Sequence, residues 1–372
     1  MNMSCGNVAV EKGMVNRGNW YRIKRVMQKA KNKEAITVGF LGGSITQGCL
    51  SSTPQTCYAY LVYEWWKKKF PDTNVNYVNA GIGGTTSQFG VARAEDDLLS
   101  KNIDFTVVEF SVNDDTTPHF FETYEGLLRK LYQSKTKPAM LIVNSVRYDD
   151  GNNAEAIHNR LGVEYELPCV SMRTTIYEAM KQGKFTNRDI TQDDLHPNDK
   201  GHQMMAEVIC DFLEKVYADL ETPEEPIKLP NPLTENGYEA SVRYQNTNFT
   251  PQTQGFTADD TPQKDIREIF RKGWTADKKG AWIRFQITGS CFAAQYRKSV
   301  MQPTPIAKAV IDGDTEHAVI LDGNFEEDWG DCLYITTLAE HLPYGEHTIE
   351  IQIETTHEQD KVPFYLVSVI GS

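Results

Sequence analysis

The chain has 372 residues, a length that accommodates two or three domains, and its 40% hydrophobic content supplies ordinary cores. A formal net charge of -13 argues against nucleic acid or an anionic membrane as partner, because both would repel it; a neutral substrate fits more easily. No apolar run approaches the ~18 residues that a membrane-spanning helix needs, and Met1 to Lys33 lacks the apolar core of a signal peptide. The seven cysteines, Cys5, Cys49, Cys57, Cys169, Cys210, Cys291 and Cys332, are scattered without a CxxC and read as reduced thiols, so a cytoplasmic location is expected.

In the first ~220 residues strand and helix signals alternate. Ile36–Leu41, Asn74–Asn79, Phe105–Ser111 and Ala139–Ser145 are short runs rich in Val, Ile and Phe, suited to strands covered on both faces of a parallel sheet; Leu167–Val170 is a weaker fifth. Between them Cys57–Phe70 reads as a helix. Lys67, Lys68 and Lys69 suit the negative end of its dipole, Pro71 stops it, and Trp65 and Trp66 read as packing residues. His202–Leu220 carries Met205, Ile209, Phe212, Val216 and Leu220 at helical spacing, a stripe that must face a sheet. Alternation of this kind predicts an α/β domain over residues 1–222. Four prolines between Glu221 and Pro232 then predict a stiff linker over 223–236. Beyond it, Ala281–Thr288, Cys291–Arg297, Ile306–Asp312, His317–Leu321, Leu333–Thr337, His347–Glu354 and Phe364–Ile370 read as strands separated by Gly, Asp and Pro. Short strands at such spacing predict an all-β sandwich of jelly-roll type over 237–372, with Trp274, Trp282 and Tyr296 in its core.

Four segments follow the strands in an order that chemistry can use, since ligand sites in open parallel sheets lie beyond the carboxyl ends of strands. Leu41-Gly42-Gly43-Ser44-Ile45-Thr46 places a serine on a small-residue turn, where a nucleophile or a helix-capping residue would sit. Asn79-Ala80-Gly81-Ile82-Gly83-Gly84-Thr85-Thr86 can expose backbone N–H groups to an oxyanion, or be a plain turn. It lacks the lysine of a phosphate loop, and Thr86 stands where a dinucleotide fingerprint needs its third glycine. Val108-Glu109-Phe110-Ser111-Val112-Asn113-Asp114 offers a side-chain amide at a strand end. Asp193-Asp194-Leu195-His196-Pro197 offers an imidazole with a carboxylate three residues before it, which can orient the ring through its second nitrogen. Asp193, Asp194 and His196 could also be metal ligands, but no second histidine cluster completes such a site.

Taken together the four segments resemble the blocks of the SGNH (GDSL-type) hydrolase superfamily over about Val38 to Leu220. The resemblance implies a flavodoxin-like three-layer α/β/α fold and ester hydrolysis without metal or organic cofactor. It implies Ser44 as nucleophile, His196 as general base and Asp193, not Asp194, as its partner. The oxyanion hole is then the Ser44 and Gly84 N–H groups and the Asn113 amide. Two positions depart from the pattern: Gly43 replaces the aspartate of Gly-Asp-Ser, and Ser111 replaces the usual glycine before the asparagine. The nucleophile elbow of α/β-hydrolases is not matched, because Thr46 stands at its second glycine.

The esterase-then-sandwich order is similar to the acetyl-mannan esterases of carbohydrate esterase family 17, whose second domain resembles a family-35 carbohydrate-binding module. This implies removal of O-acetyl groups, foremost 2-O-acetyl of mannose, from acetylated manno-oligosaccharides. Sugar recognition needs an aromatic face and directed hydrogen bonds, and Asp328-Trp329-Gly330-Asp331 supplies both. Trp329 is therefore expected to contact the sugar in a loop reaching toward Ser44, although a tryptophan wedged in a domain interface would read the same. The acidic run Asp322 to Asp331 lacks EF-hand order and reads as a solvated loop. The rival readings are a lipid-directed esterase or lysophospholipase, an acetyl-xylan esterase, and a catalytically inert glycan-binding protein.

Overall fold

The structure is a computed structural model that describes residues 8–372, so Cys5 lies outside the described residues. It divides into two compact units, Met1–Asn236 and Gly237–Ser372.

The first unit is built on one six-stranded sheet: β1 (Met14–Asn16), β2 (Ile36–Gly42), β3 (Val75–Gly81), β4 (Phe105–Glu109), β5 (Ala139–Asn144) and β6 (Cys169–Ser171). Their spatial order is β1-β6-β5-β4-β2-β3. Strands β2 to β6 run parallel in the doubly wound order of flavodoxin-like folds, and β1 adds an antiparallel edge beside β6. Every residue of β2, β4 and β5 is buried, which is why these segments read as unbroken apolar runs rather than alternating ones.

Helices cover both faces. On one side lie α1 (Tyr21–Lys31), α3 (Tyr58–Lys69) and α8 (Asp199–Ala218), which pack Met27, Trp66, Met205 and Phe212 against Phe40 and Phe105. Between α1 and α3 comes the four-residue α2 (Ser44–Gln47). On the other side α4 (Ser87–Asp97) packs on α5 (Pro118–Gln133), and α5 on α6 (Glu155–Glu164). A short α7 (Glu178–Lys181) precedes α8. Thr117 caps α5 ahead of Pro118, and Asn198 caps α8 through the Gly201 N–H. Among the described residues no helix is long and apolar enough to cross a membrane.

The proline-rich stretch 223–236 forms neither helix nor strand, and it is laid along the first unit rather than spanning free. Glu224 accepts from Arg17 and from the Trp20 N–H, both at 2.9 Å. Tyr132 donates to Ile227 O at 2.9 Å, and Arg129 to Pro230 O at 2.8 Å. The strap ends on Glu125, a carboxylate buried on α5 that accepts from the Leu233 N–H (2.7 Å), the Thr234 N–H (2.9 Å) and the Tyr165 hydroxyl (2.6 Å).

The second unit stacks two antiparallel sheets. One runs β15-β12-β17-β10-β9 with β7 also on β17, the other β14-β13-β16-β11-β8. Its strands are β7 (Val242–Tyr244), β8 (Gln252–Gln254), β9 (Thr257–Ala258), β10 (Trp274–Ala276), β11 (Trp282–Gly289), β12 (Phe292–Lys298), β13 (Ile306–Ile311), β14 (Val319–Asp322), β15 (Cys332–Ala339), β16 (Gly345–Thr355) and β17 (Phe364–Gly371). Alternate residues point inward: Ile283, Phe285 and Ile287 from β11 meet Ile349, Ile351 and Ile353 from β16, with Trp274 and Tyr296. Each such side chain contributes roughly 1.5–3 kcal/mol by leaving water. The alternation corrects one expectation. Trp282 is on the outward register of β11, half-exposed, with its indole donating to Gln254 at 3.3 Å and the Arg284 guanidinium over its ring.

Because Glu125 accepts four hydrogen bonds, from the Leu233 and Thr234 N–H groups and the Thr234 and Tyr165 hydroxyls, Glu125→Ala releases the strap and strands the buried Tyr165 hydroxyl. The expected cost is on the order of 3 kcal/mol, read as a lower denaturation midpoint with an unchanged m-value.

Candidate active site

The site forms at the carboxyl ends of β2, β3 and β4. Gly42 pairs with Gly81 on one side and Glu109 on the other, so the loops bearing Ser44, Gly84 and Asn113 leave the sheet from one row. Ser44 opens α2, and its N–H has no preceding helical turn to bond. Glycine at 42 and 81 is required by close approach: a Cβ at 42 would meet the Glu109 carbonyl at 2.4 Å, and one at 81 would meet Gln47 N at 2.1 Å. Gly84 takes φ +67°, and a Cβ there would meet nothing within 4 Å, so its backbone borders open space.

Three polar ties lock these loops together. Asn79 donates to Thr46 O at 2.8 Å, Gln47 accepts from the Gly83 N–H at 2.6 Å, and Asp114 accepts from the Ser87 N–H at 2.9 Å. Asn113 has its Oδ1 buried and unpaired, which leaves Nδ2 as the accessible donor. In this chain a Cβ on Gly43 would come within 2.2 Å of that oxygen.

His196 arrives from the loop before α8. Its Nε2 stands 2.8 Å from Ser44 Oγ, and its Nδ1 is 2.6 Å from Asp193 Oδ2. Asp193 Oδ1 accepts the N–H groups of Leu195 (3.1 Å) and His196 (2.8 Å), a local turn that aims carboxylate and ring at each other. Asp194 turns the other way, with φ +65°, and pairs with Arg188 at 2.6 Å. The structure thus brings Ser44, His196 and Asp193 into one chain of hydrogen bonds and leaves Asp194 out of it.

The electrostatics follow from these contacts. Burial opposes a charged imidazole, but the Cys49 thiol and the Asp193 carboxylate beside it prevail and push His196 up to about 9. Burial likewise opposes the Asp193 charge, but bonds from His196 and its N–H, and from the Leu195 N–H, hold the carboxyl down at about 2. Cys49 next to the ring is a residue that sequence reasoning missed, as is Glu109. Burial pushes the Glu109 carboxyl up to about 7 against the hydroxyls of Ser145 and Thr46, beneath the turn that carries Ser44. Nothing in the local sequence of either residue announces a neighbour so far along the chain.

The loops after β4 and β5 also border a cavity of about 480 Å³ lined by Ser111, Asp115, Arg147, Asp150, Asn152 and Asn153, which none of Ser44, Gly84, Asn113, Asp193 and His196 lines. Among the described residues no three His, Cys, Asp or Glu side chains are grouped so as to hold a metal ion. A serine hydroxyl on an imidazole backed by a carboxylate is equipped for acyl transfer.

Comparison with known proteins points to the same class of chemistry. The profile of the GDSL-like lipase/acylhydrolase family matches residues 40–204. The crystal structure of a two-domain esterase active on acetylated mannans is 56% identical, covers 98% of both chains and superposes with a TM-score of 0.96. The chain belongs to this family. It is an SGNH-type carboxylic ester hydrolase with an α/β domain followed by an antiparallel β-sandwich. The same two-domain esterase co-crystallized with mannopentaose, again 56% identical over 98% of both chains, gives a TM-score of 0.94. An acetylxylan esterase of Geobacillus stearothermophilus is 23% identical over 205 residues, 45% of this chain and 89% of that one.

Two outcomes test the SGNH geometry. Gly43→Ala pushes the Asn113 amide aside and lowers kcat by about 10-fold or more with little change in KM, read from steady-state rates on a soluble acetyl ester. For His196 the neutral ring is the competent base, so kcat/KM rises with pH as the imidazole loses its proton near 9. Asp193→Asn removes the carboxylate that raises it. The rising limb then moves toward the ordinary histidine range and the rate falls by about 10³-fold or more, read from a pH–rate profile.

Proposed function

We propose that this esterase removes O-acetyl groups from acetylated manno-oligosaccharides, foremost the 2-O-acetyl group of mannose, through Ser44, His196 and Asp193. The observation that carries the reading is the 2.8 Å contact between His196 Nε2 and Ser44 Oγ, backed by Asp193 at 2.6 Å.

In this reading His196 takes the Ser44 proton as Oγ bonds to the acetyl carbonyl carbon. The carbonyl oxygen becomes an oxyanion facing the Ser44 and Gly84 N–H groups and the Asn113 amide. The sugar oxygen departs with the proton returned by His196, leaving acetyl-Ser44. Water, deprotonated by the same imidazole, attacks the acetyl carbonyl, and acetate leaves as Ser44 regains its proton. Asp193 stabilises the imidazolium at both steps and keeps its own charge.

Two observations support a sugar as the alcohol portion. The similarity to the esterase active on acetylated mannans runs through both units of the chain. In the second unit Trp329 is 59% exposed, with Phe325 edge-on at 5.0 Å. It offers a sugar-stacking face, the property that would make this sandwich a carbohydrate-binding module.

Position-resolved NMR of acetylated mannan and xylan fragments tests the substrate. Loss of the mannose 2-O-acetyl signal is expected, abolished by Ser44→Ala; faster loss from xylan would replace the mannan reading. Trp329→Ala is expected to lower kcat/KM on oligosaccharides by about 10-fold while sparing a small aryl acetate. Equal losses on both would remove the sugar-stacking role.

A further inference from the structure

The guanidinium of Arg93, on α4, is wholly buried, and the mechanism above makes no use of it. Its Nη1 donates to Ala80 O at 2.7 Å and its Nη2 to Gly42 O at 3.0 Å. Asp97, one turn further along α4, is its carboxylate partner at 3.1 Å, and the Phe89 ring lies 5.2 Å from Cζ. Nε is buried and unpaired. A charge buried with an unmet donor is costly, and apolar side chains in place of both Arg93 and Asp97 would serve stability as well.

The two carbonyls it grips explain its presence. Gly42 is the last residue of β2 and is followed by Gly43 and Ser44; Ala80 is the penultimate residue of β3 and is followed by the turn that contains Gly84. Gly42 O is also held by the Ile82 N–H at 3.1 Å, so this carbonyl is fixed from both sides. Here the regular ladder ends, and the pitch of the next peptides is no longer set by strand pairing. A planar fork can fix the angle between two such carbonyls, which a single-point donor cannot. The helix bearing Arg93 begins at Ser87, three residues beyond Gly84, so the chain that leaves the turn reaches back to clamp the strand that enters it.

We propose that Arg93 is a positioning residue of the oxyanion hole. Its guanidinium holds the ends of β2 and β3 at the angle that points the Ser44 and Gly84 N–H groups at one oxygen, and it places a fixed positive charge beneath them. This rests on the roles assigned above to Ser44 and Gly84. Those donors act on the tetrahedral state, so loss of the clamp weakens that state and spares substrate binding.

The test uses the full chain with Arg93→Lys, which keeps the charge beside Asp97 but not the fork, and Arg93→Met, which keeps neither. Rates on a small aryl acetate are set against the affinity of a small boronic acid, whose tetrahedral serine adduct mimics the oxyanion. For Arg93→Lys, kcat is expected to fall roughly 10-fold with KM within about twofold, and for Arg93→Met roughly 100-fold, boronate affinity falling in step with kcat/KM. Wild-type kcat in Arg93→Lys overturns the proposal, as does a fall in rate with boronate affinity unchanged. An Arg93→Lys chain that does not fold also overturns it, by assigning the residue to stability. Ser44→Ala run alongside separates the two levels: turnover that survives it removes the underlying reading, whereas turnover lost there but intact in Arg93→Lys removes only the role of Arg93.

Discussion

One row of residues governs the first unit. Gly42 lies between Gly81 and Glu109 across three parallel strands, and each strand ends at or just past that row. Parallel pairing alone would bring three loops to one edge; the register makes them begin level, so that short turns can meet. The row also crosses the point where chain order reverses between β2 and β4, the place where an open α/β sheet leaves a crevice. Two of its three members are glycines because the backbones of α2 and of the strand ends come closer than any Cβ permits. Ser44, Gly84 and Asn113 are thus where they are by strand register, before any side chain contributes.

The side chains then tie that backbone down, mostly with groups that are costly to bury. Asn79, Gln47, Asp114 and Arg93 each connect two of the three loops. Glu109 lies under the serine turn with hydroxyl partners. Polar residues in such number under a strand edge are expensive, and the common reason for them is pre-organisation: donors fixed before reaction need no reorganisation when charge develops. His196 is held differently. It sits on a loop, and its orientation comes from a local turn in which Asp193 accepts from the His196 N–H and ring at once. The neighbouring carboxylate of Asp194 is one residue away and useless to the ring, because a positive φ sends it to Arg188.

Much of this was legible in the chain itself. Runs such as Ile36–Leu41 and Phe105–Ser111 announced buried parallel strands because both faces are covered, and the observed strands differ from them only at their ends. The α8 stripe was legible from its period. The short segments that bear Ser44, Asp193 and His196 were legible as motifs, and the fold brings those three side chains within hydrogen-bond reach of one another. What could not be read is what depends on distant partners. The edge strand β1 and strands β8 to β10 span two or three residues each, too few to show a period. Trp282 looked like core by type, but register put it outward. The proline stretch declared itself extended but not docked, since its partners Arg17, Glu125 and Tyr132 lie about a hundred or more positions earlier. Arg93, Glu109 and Cys49 carry no local signature, and the close approach of Gly43 to Asn113 shows only in the fold.

In the proposed reaction Ser44 carries the acetyl group between substrate and water. Rapid acid quench of the enzyme during turnover of an acetylated manno-oligosaccharide, followed by peptide mass spectrometry, tests it most directly. One acetyl ester is expected, on Ser44, that appears before free acetate reaches its steady rate and disappears when substrate is exhausted. Turnover with the acetyl group on another residue, or acetate released at full rate with Ser44 unmodified at every time point, would contradict it.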